Sequence, residues 1–275
     1  MSGGLNLAVT PLELKPGELY ESINYMETDA AFHGYSSVLG YERFDGKNKA
    51  STVGVTGLGD GGNDENTVLL LEGEVAHVDL STTAHDVTNT KVVRDELTTK
   101  FLGGSLKFDG AAHYSVADDS TGSFSGAYDA SFDLSTDPFP SQLDLTDYWT
   151  WDLQIRPGTR LATEILMEKE GCYRLSIDPA GLVTFETSDD GVSYTDSIAM
   201  EQLPLTGNRF THLSIACRNF EMRMAVGGVP ITTAGGNLIT TTVSGFWHNI
   251  NPLIIGANAA VDSWFTGHMD EIRSV

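Results

Sequence analysis

Two stretches of the chain, "YRLSIDP" at 173–179 and "HLSIACR" at 212–218, alternate apolar and polar residues with a period of two. That period places Tyr173, Leu175 and Ile177 on one face of a strand, and Leu213, Ile215 and Cys217 on one face of another. From Gly103 onward, short segments of this kind recur between turn formers such as Asp109-Gly110, Pro157-Gly158, Glu170-Gly171 and Gly227-Gly228. Expected strands include 105–108, 113–116, 126–133, 149–156, 161–169, 172–177, 182–187, 210–218, 221–226, 253–256 and 267–273. No long amphipathic helix competes with them. Many short strands with frequent turns predict a β-sandwich or barrel.

Local patterns refine this reading. Trp149 and Trp151 share parity and are expected to enter a sheet face as core, while residues 239–250 read as a short turn around "SGFWHNI". In the final stretch, "FTGHMDEIRSV", Phe265 and Met269 share strand parity and Ile272 falls out of step. A bulge near Asp270 and Glu271 in the closing strand accounts for that slip. The acidic pair then reads as a local hydrogen-bonding device, with Arg273 as its partner.

Charge narrows the classes of partner. With 38 acidic residues against 16 basic ones, the net charge of −22 repels nucleic-acid backbone and anionic membrane surfaces. Neither a signal peptide nor a membrane span is expected, because no apolar run approaches the length of a membrane helix. Cys172 and Cys217 match no metal or redox spacing and read as buried free thiols.

Upstream of Gly103 the pattern changes. Residues 1–50 read as an extended assembly arm with no core of its own, its interface anchors being Tyr20, Tyr25, Phe32, Tyr35, Tyr41 and Phe44. Residues 51–102 begin with a glycine-rich stretch that lacks the features of a phosphate loop. They continue into short strand-like segments, either a small β-rich region or linker, or strands appended to the larger domain at 103–275.

No catalytic set is expected. There is no alternating carboxylate array, no nucleophile elbow and no zinc-protease motif, and Glu164, Glu168 and Glu170 read as a solvated edge or an inter-subunit contact. For metal, the candidates are Asp118 and Asp119 in "ADDSTGS", where turn capping competes with calcium. His113 and His268 fall near the start and end of the larger domain, and two histidines without a cysteine do not make a zinc set. Among the aromatics Tyr148, Trp149, Trp151, Tyr194, Trp247 and Trp264, the last two lie near turns and are the candidates for stacking on a ligand.

Five segments carry a family resemblance: "SLKFDGAAHYSVADDS" (105–120), "RFTHLSIACRN" (209–219), "EMRMAVGGVPI" (221–231), "PLIIGAN" (252–258) and "FTGHMDEIRSV" (265–275). In order and spacing they resemble the laminin-G-like or concanavalin A-like jelly-roll family. The resemblance implies an all-β jelly-roll sandwich over 103–275, preceded by the arm and the small β-rich region. A second resemblance lies in "LELKPGELYESINYMETDAAFHGYSSVLGYERFDG", which looks like leader segments of tailed-bacteriophage virion proteins. It implies a non-enzymatic structural component located in the virion, either a capsid decoration or cement protein or a tail-associated one. Such a protein needs no cofactor and forms a homo-oligomer with other virion proteins as partners. The alternative is a carbohydrate-binding jelly-roll module that takes a surface glycan, assisted by calcium.

Overall fold

The computed structural model describes residues 67–73, 77–81, 83–100, 103–118, 126–129, 143–202, 204–207 and 209–275. Among these residues, strands numbered along the chain form two large antiparallel sheets and a small one. The nine-stranded sheet runs β14 (Val229–Pro230), β13 (Glu221–Val226), β12 (Thr211–Arg218), β7 (Tyr148–Pro157), β18 (Thr266–Ser274), β4 (Ser105–Asp109) and β3 (Val93–Asp95). To it are added β1 (Leu69–Leu71), paired with β18, and β15 (Thr240–Thr242), paired with β13. The seven-stranded sheet runs β11 (Asp196–Ala199), β10 (Val183–Thr187), β9 (Tyr173–Ile177), β8 (Glu164–Lys169), β17 (Leu253–Ile255), β5 (His113–Val116) and β2 (Val87–Thr90). A separate pair joins β16 (Gly245–His248) to β6 (Gly126–Asp129). The described residues thus form an all-β, two-sheet antiparallel sandwich of the concanavalin A-like jelly-roll type.

The period-two pattern builds the core. Trp149, Trp151 and Leu153 on β7 alternate with half-buried or exposed neighbours, as do Leu213, Ile215 and Cys217 on β12, and Ile155 continues the inward row of β7 past the buried Gln154. From the other sheet, Tyr173, Leu175 and Ile177 on β9 and Val183 and Phe185 on β10 enter the same cluster. Aromatic contacts link the two layers: the rings of Trp149 and Phe185 are 5.3 Å apart and those of Trp151 and Tyr173 are 6.1 Å apart. Each such fully buried large side chain stabilises the fold by roughly 1.5–3 kcal/mol. Both tryptophans sit where their parity predicts, and Cys172 and Cys217 are buried free thiols.

The closing strand shows the bulge that its sequence implies. Residues 266–269 of β18 pair with β4, residues 272–274 pair with β1, and the register against β7 shifts between Asp270 and Arg273. Glu271 has φ +47°, a left-handed conformation uncommon for a residue with a β-carbon. The extra residue returns Ile272 to the interior, where it is buried along with Phe265 and Met269. Asp270 is fully buried and its Oδ1 accepts hydrogen bonds from the backbone N–H groups of Gly73 (3.0 Å) and Glu271 (3.1 Å). Arg273, expected as the partner of the acidic pair, is set by the register opposite Asp152 on β7, and its Nη2 lies 3.4 Å from Asp152 Oδ2.

Other details depart from the sequence reading. Residues 240–248 hold β15 and β16 rather than a turn alone. His113 lies on β5 of the seven-stranded sheet and His268 on β18 of the other, so the two do not meet across paired strands. The strands between residues 69 and 95 are distributed over both sheets: β1 and β3 in the larger, β2 in the smaller. The aromatic anchors Tyr20, Tyr25, Phe32, Tyr35, Tyr41 and Phe44 lie outside the described residues.

Candidate functional site

Alternation that sends Tyr173, Leu175, Val183 and Phe185 inward sends Arg174, Ser176, Thr184 and Glu186 to the outer face of the seven-stranded sheet. Pairing aligns them in two rows. Glu186, Arg174 and Glu168 face one another across β10, β9 and β8, and Thr184, Ser176 and Ile165 form the neighbouring row. A register shift between Ile165 and Met167 re-phases β8, which is why Ile165 and Glu168 both belong to the outer face. Asn258 and Ser263, from the loop after β17, complete the rim of an open depression of about 420 Å³ that also includes Thr163.

The charged row is held rigidly. Arg174 clasps Glu186 through two bonds, Nε to Oε2 at 2.5 Å and Nη2 to Oε1 at 3.1 Å. Its guanidinium lies 4.4 Å from the centre of the Tyr194 ring. The Tyr194 hydroxyl donates to Glu168 Oε1 at 2.8 Å, and the Ala259 N–H donates to Glu168 Oε2 at 2.6 Å. The Glu186 carboxylate raises the Arg174 pKa, and burial raises that of the Tyr194 phenol, so both keep their protons at any ordinary pH.

The depression presents neutral hydrogen-bonding groups beside two carboxylates. Ser176, Thr184, Asn258 and Ser263 contribute hydroxyls and an amide, and Glu168 and Glu186 contribute carboxylates. Both oxygens of Glu168 and both of Glu186 are already engaged within the protein. Neither carboxyl is presented as a free acid or base for proton transfer.

The sequence candidates occupy other positions. Trp264 is half-buried, follows the rim residue Ser263 and rests against His113 with ring centres 5.6 Å apart. Trp247 is packed at the edge of the core, its indole so close to Gly191 that a β-carbon there would lie 2.5 Å from Nε1. Asp118 does not suit calcium, since its buried carboxylate receives the ammonium of Lys169 at 2.5 Å. A lysine cation thus sits where a metal would have to bind. Asp119 lies outside the described residues, among which no group of three or more acidic, histidine or cysteine side chains could hold a metal ion. Sequence reading passed over Arg174, Ser176, Thr184 and Glu186, although their outward parity in "YRLSI" and "VTFET" marks them as the exposed half of two core strands.

Comparison with known proteins agrees with the fold. The family model described as the concanavalin A-like lectin/glucanases superfamily matches residues 116–274. Domain 4 of an extracellular arabinanase from Geobacillus stearothermophilus, in complex with arabinotriose, is similar at 14% identity and TM-score 0.46, covering 76% of this chain and 91% of that one. The Trypanosoma rangeli sialidase is similar at 14% identity and TM-score 0.46, covering 77% of this chain but 30% of the sialidase. The carbohydrate-binding module of a Ruminococcus gnavus sialidase, bound to α2,3-sialyllactose, matches at 16% identity and TM-score 0.37, covering 55% of this chain and 85% of that one. No curated protein matches the chain. The lectin and glucanase family match overturns the expectation of a bacteriophage virion structural protein, together with its virion location and virion-protein partners.

Proposed function

This chain belongs to the concanavalin A-like lectin/glucanases superfamily, and from that premise we propose that it is a carbohydrate-binding module. The observation that carries the reading is the depression on the outer face of β8, β9 and β10. There a row of hydroxyls and a fixed Glu–Arg–Glu row are presented side by side. Sugars are recognised by groups of this kind, because each ring hydroxyl both donates and accepts, and a preorganised polar surface loses little entropy on binding. Trp264, next to the rim, supplies an apolar surface for a sugar ring at the margin.

Incubating the full chain with a printed array of oligosaccharides tests the proposal. Dose-dependent binding by the native protein, lost in Thr184→Trp, is the expected result, since an indole at that outer position fills the depression without entering the core. An array on which the folded native chain binds no glycan contradicts it.

A further inference from the structure

We infer that the depression selects uncharged glycans over acidic ones and that Glu186 is the residue that sets this preference; the inference rests on the carbohydrate-binding reading above. Arg174 is the single cation among the side chains that line the depression, where Glu168 and Glu186 are the anions. A lone arginine in a sugar site would ordinarily recruit a carboxylate through its planar fork of donors. Here one edge of that fork is already taken. Glu186 takes the Nε and Nη2 edge, and the Tyr194 ring packs on the guanidinium.

The remaining balance is negative. One guanidinium against two carboxylates leaves the row with a net negative charge, and Asp262 stands in the rim loop, bonded to Asn258 Nδ2 at 2.7 Å. A sialic or uronic acid would bring its carboxylate against Glu186 and Glu168, at a range where salt screening is weak. The positive charge of Arg174 that would draw it is already balanced by the two-point contact with Glu186. Uncharged sugars meet no such penalty. Their hydroxyls donate to the carboxylates and exchange hydrogen bonds with Ser176, Thr184, Asn258 and Ser263. The overall charge of −22 works in the same direction.

The test uses matched glycan pairs on one array, each neutral oligosaccharide beside its acidic derivative, with lactose and 3′-sialyllactose as one pair. The full native chain is expected to half-saturate the neutral member at a concentration at least about tenfold lower. Glu186→Gln, which keeps size and one hydrogen bond to Arg174 while removing the charge, is expected to shrink or invert that ratio. Preference of the native protein for acidic members overturns the inference while leaving carbohydrate binding intact. So does an unchanged ratio in folded Glu186→Gln. Failure to bind any member of any pair removes the carbohydrate reading and this inference with it. The native ratio decides the matter even if the variant does not fold.

Discussion

Lys169 Nζ lies 2.6 Å from Asp144 Oδ1, with the lysine side chain fully buried and that of the aspartate nearly so. The same ammonium bonds to Asp118 Oδ2 and to the backbone carbonyl of Asn249, so one cation ties β8 to three loops behind the seven-stranded sheet. Burial alone would discharge the lysine, but Asp144 and Asp118 hold its pKa above the ordinary value. Lys169→Met strands two buried carboxylates and is expected to destabilise the protein by about 3–5 kcal/mol at pH 7 in urea unfolding. Adding Asp118→Asn and Asp144→Asn to that variant should recover most of the loss. The lysine's contribution is fully present below the unfolded-state pKa, about 10.4, and fades as pH rises through the higher folded-state value.

Acid should weaken the fold through histidine before the carboxylates respond. His248 is buried and its Nε2–H donates to the Leu145 carbonyl at 2.6 Å. Desolvation lowers its pKa, as it does for His113 and His268. Each imidazole is therefore protonated more readily in the unfolded chain. Stability is complete above about pH 6.5 and declines as pH falls toward the lowered folded-state values. Urea midpoints measured between pH 8 and pH 5 should fall over that interval; a flat or rising profile would contradict the assignment of neutral imidazoles, buried at His248 and half-buried at His113 and His268.

The bulge in β18 depends on one carboxylate. Asp270→Ala removes the acceptor shared by Gly73 and Glu271 and should cost about 1–3 kcal/mol. Gly73→Ala should be comparably damaging, since a β-carbon there would sit 2.4 Å from Ser105 Cα and 2.5 Å from Gly104 O. Denaturant titration of both variants measures the effect, and native-like midpoints would show that the junction of β1, β4 and β18 does not need them.

The two thiols should be inert in the folded state. Burial pushes both Cys172 and Cys217 up to about 12, so neither forms a thiolate near neutral pH. A disulfide reagent is expected to titrate neither thiol in native buffer and both in urea. Rapid reaction of either without unfolding would contradict the burial.

How much of this could be read from the chain alone depended on whether a signal was local. Alternation in 173–177 and 213–217 gave the strands and their inward faces, and the phase slip at Ile272 gave the bulge. Strands with one apolar residue or none in alternation, such as β2 and β11, left no comparable trace. Nothing local marks Lys169 for burial, because its partners are 51 and 25 positions away and only the fold unites them. The depression was half legible: parity exposed Arg174, Ser176, Thr184 and Glu186, but only the pairing of β8, β9 and β10 aligned them into rows. Attention to exposed aromatics favoured Trp247, which the Gly191 turn instead draws into packing.

The central claim is a location, and amide chemical-shift mapping tests it directly. Titrating the labelled full chain with the strongest neutral oligosaccharide from the array should move the amides of Arg174, Ser176, Thr184, Glu186 and Asn258 in a saturable way, and leave β12 and β13 unaffected. Saturable shifts confined to the nine-stranded sheet, with those five amides unmoved, would contradict it.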